Sequence, residues 1–299
     1  MSSDSKPPSI KKSLRHIADF LLFSNLFIAI CAVAQGLVTY HLLEIKPDKH
    51  VLALLFCSTL ALYNFSMLMS KPAEPRRSPF RRVRWIFSHY RLTISLTIIA
   101  IVSVTVLIFF LKIPSIILLS FLGLISIAYN IPLFTLNERK FGLRNIPGLK
   151  LFLIAIVWSF SCVLLPIVEG SARHLVDIKV ADTVLLVGKR FLFIAAITVP
   201  FDIRDLFHDK HFNLKTIPVM LGERKAYLFC QLLLVIYASL LLMFTRDFNA
   251  DFWALTVTAA VAGWLILKSE IKKDEFYYFG FIDGTMILQF LMILLFNLF

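Results

Sequence analysis

Nine stretches of this chain are apolar over about twenty residues each, and that alone rules out most folds. They run 18–42, 50–70, 91–111, 114–134, 148–168, 182–202, 226–245, 252–268 and 276–298. Hydrocarbon offers no partner to a backbone N–H or C=O, so a segment that crosses it must satisfy its own backbone, and a helix does so. With 59% hydrophobic residues, the composition lies above the ~45–50% of soluble domains. The expected fold is all-α and polytopic: about nine transmembrane helices in one bundle around a central cavity. The third and fourth segments are joined only by Lys112, Ile113 and Pro114, which forces a tight hairpin. Residues 1–15, carrying Lys6, Lys11, Lys12 and Arg15, form a head, and 16–299 a single transmembrane domain. The first apolar segment exceeds the ~7–15-residue core of a secretory signal and is read as a retained span.

Charge orients the bundle, because cytoplasmic loops collect Lys and Arg. With the N-terminus inside, inner segments hold 23 of the 31 basic residues and outer segments 8. The expected protein is integral to a membrane of the bacterial inner type, N-terminus in the cytoplasm and C-terminus outside. The same distribution accounts for the net charge of +12 by orientation and attraction to anionic lipid, with no need of nucleic acid. The four cysteines, Cys31, Cys57, Cys162 and Cys230, lie singly in apolar runs and read as small core residues.

At the inner end of the sixth segment stand Asp202, Asp205 and Asp209. On a helix the steps of three and four bring them within an arc of about 60°. Carboxylates so close repel unless a cation lies between them, and an all-oxygen donor set suits a hard ion such as Mg²⁺. On the same side, between the second and third segments, five arginines fall between Arg76 and Arg84. A guanidinium matches phosphate oxygens, so the pair of features points to a phosphorylated substrate. The arginines serve equally as a positive-inside anchor.

The segment from Asp205 to Arg224 resembles the second Asp-rich motif of the UbiA-type intramembrane prenyltransferases. Asp205 and Asp209 match its DxxxD, Thr216-Ile217-Pro218 its Thr-Leu-Pro triplet and Leu221-Gly222 its Leu-Gly pair, with Asn213 where a glycine is usual. Asp202-Ile203-Arg204-Asp205 is similar to the form seen in the menaquinone-forming branch, and Tyr129-Asn130-Ile131-Pro132 to the family's fourth-helix motif. The first Asp-rich motif, NxxxDxxxD, survives only at Asn64, with Leu68 and Pro72 at both aspartate positions. No lysine closely follows Tyr129, where the family usually has one.

The resemblance implies transfer of a polyprenyl group from a prenyl diphosphate to an aromatic or other lipophilic acceptor. Asp205, Asp209 and Tyr129 would be catalytic, and Asp202, Asp205 and Asp209 would hold Mg²⁺. Asn64, Arg76, Arg77, Arg81, Arg204 and Lys215 would bind substrate, the arginine cluster, Arg82 and Arg84 included, standing in for charge that the lost motif no longer gathers. Asn64 also reads as a helix-packing hydrogen bonder, and Tyr129 as part of an aromatic belt. Asp283, about two turns into the last segment, reads as a buried structural group, and Lys189 and Arg190 as side chains that snorkel to a boundary. Two other classes remain: a non-catalytic relative that binds an isoprenoid or a partner, and a cation-coupled transporter. No repeat relates the halves, which counts against the transporter; the completeness of the second motif favours the enzyme.

Overall fold

The computed structural model describes residues 10–130, 134–136, 139–141, 146, 148–211, 214–244, 248–269 and 273–298. Parts of two sequence motifs, Ile131-Pro132 and Asn213, lie outside these residues. Each of the nine apolar segments is helical over most of its described residues. Seven helices are long and apolar enough to cross a membrane: α3 (Lys49–Met69), α5 (Tyr90–Ile108), the continuous run Leu149–Ala172, α9 (Val180–Arg204), α12 (Glu223–Phe244), α13 (Ala250–Lys268) and the run Tyr277–Phe296. Two expected spans differ from a plain helix. The first breaks into α1 (Ile10–Phe23) and α2 (Leu26–Leu42), bent by 68° at Asn25, whose φ of 67° is a left-handed conformation that asparagine tolerates. The fourth, α6 (Ile113–Asn130), is shorter. Beyond it, β1 (Phe134–Leu136) pairs with β2 (Arg139–Phe141) as an antiparallel hairpin, Thr135 opposite Lys140.

The helices close into a ring. α2 lies between α3 and α14 (Thr285–Phe296), α13 between α14 and α12, and α9 between α12 and α7 (Leu149–Ser159), while α5 packs outside on α3. α9 is the central member: Phe193, Ala196, Val199 and Ile203, at helical spacing, are fully buried. The outer faces of α5 and α6 expose Ile98, Ile101, Val102, Ile117 and Leu124, as a lipid-facing surface does. Short elements crown one end of the ring: a turn at Pro75–Arg77, α4 (Arg81–Ser88), α10 (Leu206–His211) and α11 (Ile217–Leu221).

Buried polar groups staple the helices. A π turn at Phe160–Leu164 leads into α8 (Leu165–Ala172), where Pro166 has no N–H for the Cys162 carbonyl. Thr39 Oγ1 on α2 donates to that carbonyl at 2.7 Å. The tight hairpin before α6 is fixed by Glu169, whose carboxylate takes the Lys112 N–H at 3.0 Å and Arg173 Nε at 2.7 Å. Gly284 precedes α14 after a second π turn, Tyr277–Ile282, and a Cβ there would meet the Gly280 carbonyl oxygen at 2.2 Å.

One expectation is corrected here. Arg190 does not snorkel: it is buried between helices and donates to both the backbone and side-chain oxygens of Gln35. Gln35 Nε2 in turn reaches the Met286 carbonyl at 2.7 Å, and Gln289 Nε2 the Tyr237 hydroxyl at 3.0 Å. A guanidinium that finds its acceptors inside the bundle has no reason to reach for water. Arg190→Leu should destabilise the protein by about 2–3 kcal/mol, because it leaves Gln35 oxygens unpaired. Thermal unfolding in detergent reads this; an unchanged transition contradicts the network.

Candidate active site

At 1.5 Å per residue, the 25 residues of α9 extend about 37 Å, more than the ~30 Å hydrocarbon thickness, so its last turn lies near a boundary. Asp202 in that turn is 1% exposed. Its partner is Lys150, in the first turn of α7, with Nζ 2.5 Å from Asp202 Oδ1. Gly148, with φ of 69°, turns the chain into α7, and its N–H donates to the Lys215 carbonyl at 3.2 Å. The loop of the Thr216-Ile217-Pro218 triplet is thereby tied to the start of α7.

The predicted Asp stripe is interrupted. The winding passes from Phe201 to Asp205 to Asp209 through N–H···O=C bonds of 3.0 and 2.9 Å, but α9 ends at Arg204 and α10 begins at Leu206. Each carboxylate has its own partner. Asp205 accepts Arg204 Nε at 2.8 Å and Nη2 at 2.9 Å, and buried Asp209 accepts the Thr216 hydroxyl at 3.1 Å. Burial raises the Asp209 pKa above the usual carboxylate value; Lys150 opposes this, while Asp202 and Asp205 add to it. Among the described residues, no three His, Cys, Asp or Glu side chains come together closely enough to hold one metal ion.

Beside this end of α9 opens a cavity of about 180 Å³, lined by Arg82, Lys150, Asp202, Arg204 and Asp283, with Asn25, Tyr63, Trp158 and Phe279. Arg82 enters from α4, donates through Nη2 to Asn25 Oδ1, and so connects to Asn64, whose Oδ1 accepts Asn25 Nδ2 at 2.6 Å. Burial and the neighbouring Arg204 charge lower the Arg82 pKa to about 10, which leaves it charged at neutral pH. Tyr63 and Trp158 also line two further cavities. One, about 280 Å³, holds Tyr129 and Arg82; the other, about 480 Å³ and mostly apolar, lies among α3, α5, α6 and α7. The three share Tyr63 and Trp158 as walls, so a charged mouth and a mostly apolar cavity lie side by side.

Of the residues expected at a site, Asp202 and Arg204 line the charged cavity and Tyr129 the adjoining one. Asp205 and Asp209 lie behind them, while Asn64 is buried in the hydrogen bond to Asn25. Arg76 and Arg77 stand on the exposed Pro75–Arg77 turn, Arg77 paired with Glu74 at 2.9 Å; Arg81 pairs with Asp19 of α1; and the Lys215 side chain is exposed. Sequence reasoning missed Lys150, Asn25 and the particular depth of Arg82. The signal for Arg82 was available: Ile86, the buried residue of α4, follows it by one helical turn.

No protein-family model matches the sequence, and no curated protein is similar to it in sequence. Solved structures do match. A UbiA homologue from Archaeoglobus fulgidus bound to GPP and Mg²⁺ superposes with a TM-score of 0.63 at 13% identity, covering 92% of this chain and 99% of the other. An apo UbiA homologue from Aeropyrum pernix K1 gives 0.55 at 15% identity, over 93% and 95%. A structure described for digeranylgeranylglyceryl phosphate synthase gives 0.54 at 14% identity, over 94% and 98%. The chain has the UbiA fold. It is an integral membrane protein, and its length matches that of UbiA-fold chains nearly end to end.

Within this UbiA fold, the Lys150–Asp202 pair should carry stability in a measurable way. Lys150→Met leaves a buried carboxylate uncompensated and should cost about 3 kcal/mol. Adding Asp202→Leu should recover most of that loss. Equal unfolding transitions for the single and double variants contradict the pairing.

Proposed function

We propose that the protein transfers a prenyl group from a prenyl diphosphate to a lipophilic acceptor, aromatic or other, in the membrane. The observation that carries this reading is the juxtaposition of a cationic, carboxylate-flanked mouth with an apolar cavity of about 480 Å³ across the shared walls of Tyr63 and Trp158. A molecule with an anionic head and a hydrocarbon tail matches both halves. The UbiA fold supports it, since a neighbour of that fold is described with GPP and Mg²⁺. The charged end is proposed to face the cytoplasm, with the N-terminus on that side and the C-terminus outside.

Lys150, Arg82 and Arg204 would offset charge on the diphosphate as the allylic C–O bond breaks and its electron pair leaves with the head group. The faces of Tyr63, Trp158 and Phe279 line the space where the allylic cation is left, and a cation is attracted to an aromatic face. The acceptor then supplies the electron pair of the new bond and loses a proton. Asp202, Asp205 and Asp209 fit a hard divalent ion in donor chemistry: all are carboxylate oxygens, and Asp209 already feels the charge of both others. Mg²⁺ held there would further neutralise the departing diphosphate.

Incubation of the purified protein with labelled geranyl diphosphate, Mg²⁺ and a membrane lipid extract tests this. Wild type should consume the donor and label a lipid; Asp205→Asn and Asp209→Asn should each lower the rate a hundredfold or more. Donor that binds and is never consumed would favour a protein that only holds an isoprenoid. That outcome is the one the leucine and proline at positions 68 and 72 make worth watching for.

A further inference from the structure

Two guanidinium groups on different elements stand against one aromatic ring. Arg82 Cζ lies 4.5 Å and Arg204 Cζ 5.2 Å from the centroid of Phe279, so α4 and α9 bring like charges together at the mouth of the cavity. Arg82 has no carboxylate on its side chain among the described residues. Its Nη2 is bonded to the neutral amide oxygen of Asn25, and Glu275 takes the Arg82 backbone N–H, at 2.7 Å, instead. Arg82 Nε and Arg204 Nη1 are both buried without an acceptor, although the other nitrogens of Arg204 are occupied by Asp205. Buried N–H groups are nearly always satisfied, and adjacent buried cations repel, so one feature of a ligand would relieve both: a multiply charged anion whose oxygens accept from the two groups at once. The fold holds both donors without any ion. Arg204 is fixed by Asp205 and by the rings of Phe201 and Tyr278, and Arg82 by the chain of amides through Asn25 to Asn64.

We propose that Arg82 and Arg204 capture the diphosphate head group without a divalent cation, each giving its unpaired N–H to a phosphate oxygen. This rests on the reading of the cavity as a prenyl diphosphate site and deepens it: Mg²⁺ would serve the departure of the diphosphate, not its arrival. Asp283 shares the cavity wall with the two arginines.

Calorimetric titration of geranyl diphosphate and of inorganic diphosphate, first in EDTA and then in Mg²⁺, tests the proposal on the full-length protein. Wild type should bind geranyl diphosphate in EDTA, and more tightly than inorganic diphosphate because the tail adds apolar contact. Arg82→Gln and Arg204→Gln should each weaken binding in EDTA tenfold or more, Arg82→Lys by less, and the exposed Lys179→Gln not at all. Thermal unfolding of each variant establishes that it is folded, and the wild-type titration in EDTA decides the matter even where a variant is not. Binding that requires Mg²⁺, or that ignores both glutamine substitutions, overturns the proposal and leaves prenyl transfer standing. Equal affinity for the two diphosphates would assign an anion site without a prenyl donor. No binding of geranyl diphosphate under either condition would remove the prenyl transfer reading and this inference together.

Discussion

In hydrocarbon an unpaired charge is expensive, and the architecture of this bundle follows from how its few charges are matched. Lys150 and Asp202 are the pivotal pair. The pair joins the first turn of α7 to the last turn of α9, and the same turn of α7 holds the loop that carries Thr216 through the Gly148–Lys215 backbone bond. Thr216 in turn bonds Asp209. A single buried ion pair thus sets the relative position of two helices, a loop and a second carboxylate. Arg190 shows the alternative solution deeper in the bundle, where a cation is met by neutral oxygens of Gln35 and Thr39.

Among the described residues six buried side-chain atoms lack a hydrogen-bond partner, and the two that belong to charged groups, on Arg82 and Arg204, both stand at the cavity mouth. Each carboxylate of the Asp stripe has a partner, yet Arg82 and Arg204 each keep a buried donor with none. A structural core satisfies such groups. A site that awaits an anionic ligand leaves them, and the apolar cavity beyond Tyr63 and Trp158 suits a ligand that also carries a hydrocarbon tail. The chemistry proposed here grows from two unpaired guanidinium donors that meet at one cavity mouth.

The spans were legible because hydropathy over twenty residues is a strong, local signal; the three aspartates stood out because acids at the end of such a span are rare, but the helix break that divides them had no local signal. The bend at Asn25 was not, since an asparagine within an apolar run reads the same whether it packs or turns; its left-handed backbone is a tertiary outcome. The arginine loop divided in a way that composition could not foresee. Arg76 and Arg77 fall on a short exposed turn, and Arg82, five residues on, lies on the face of α4 that Ile86 buries. Lys150 does not stand out in the sequence, because nothing local to it reveals Asp202 as its partner 52 residues away.

The central claim is that the cavity bounded by Arg82, Lys150 and Arg204 is where a prenyl diphosphate binds. An experimental structure of the protein with a non-hydrolysable geranyl thiolodiphosphate and Mg²⁺ tests it most directly. The account predicts the diphosphate against Arg82 and Arg204, with the tail running past Tyr63 and Trp158 toward the apolar cavity among α3, α5, α6 and α7. Density for the ligand at another place, or a diphosphate at this end of the bundle held away from both arginines, would contradict it.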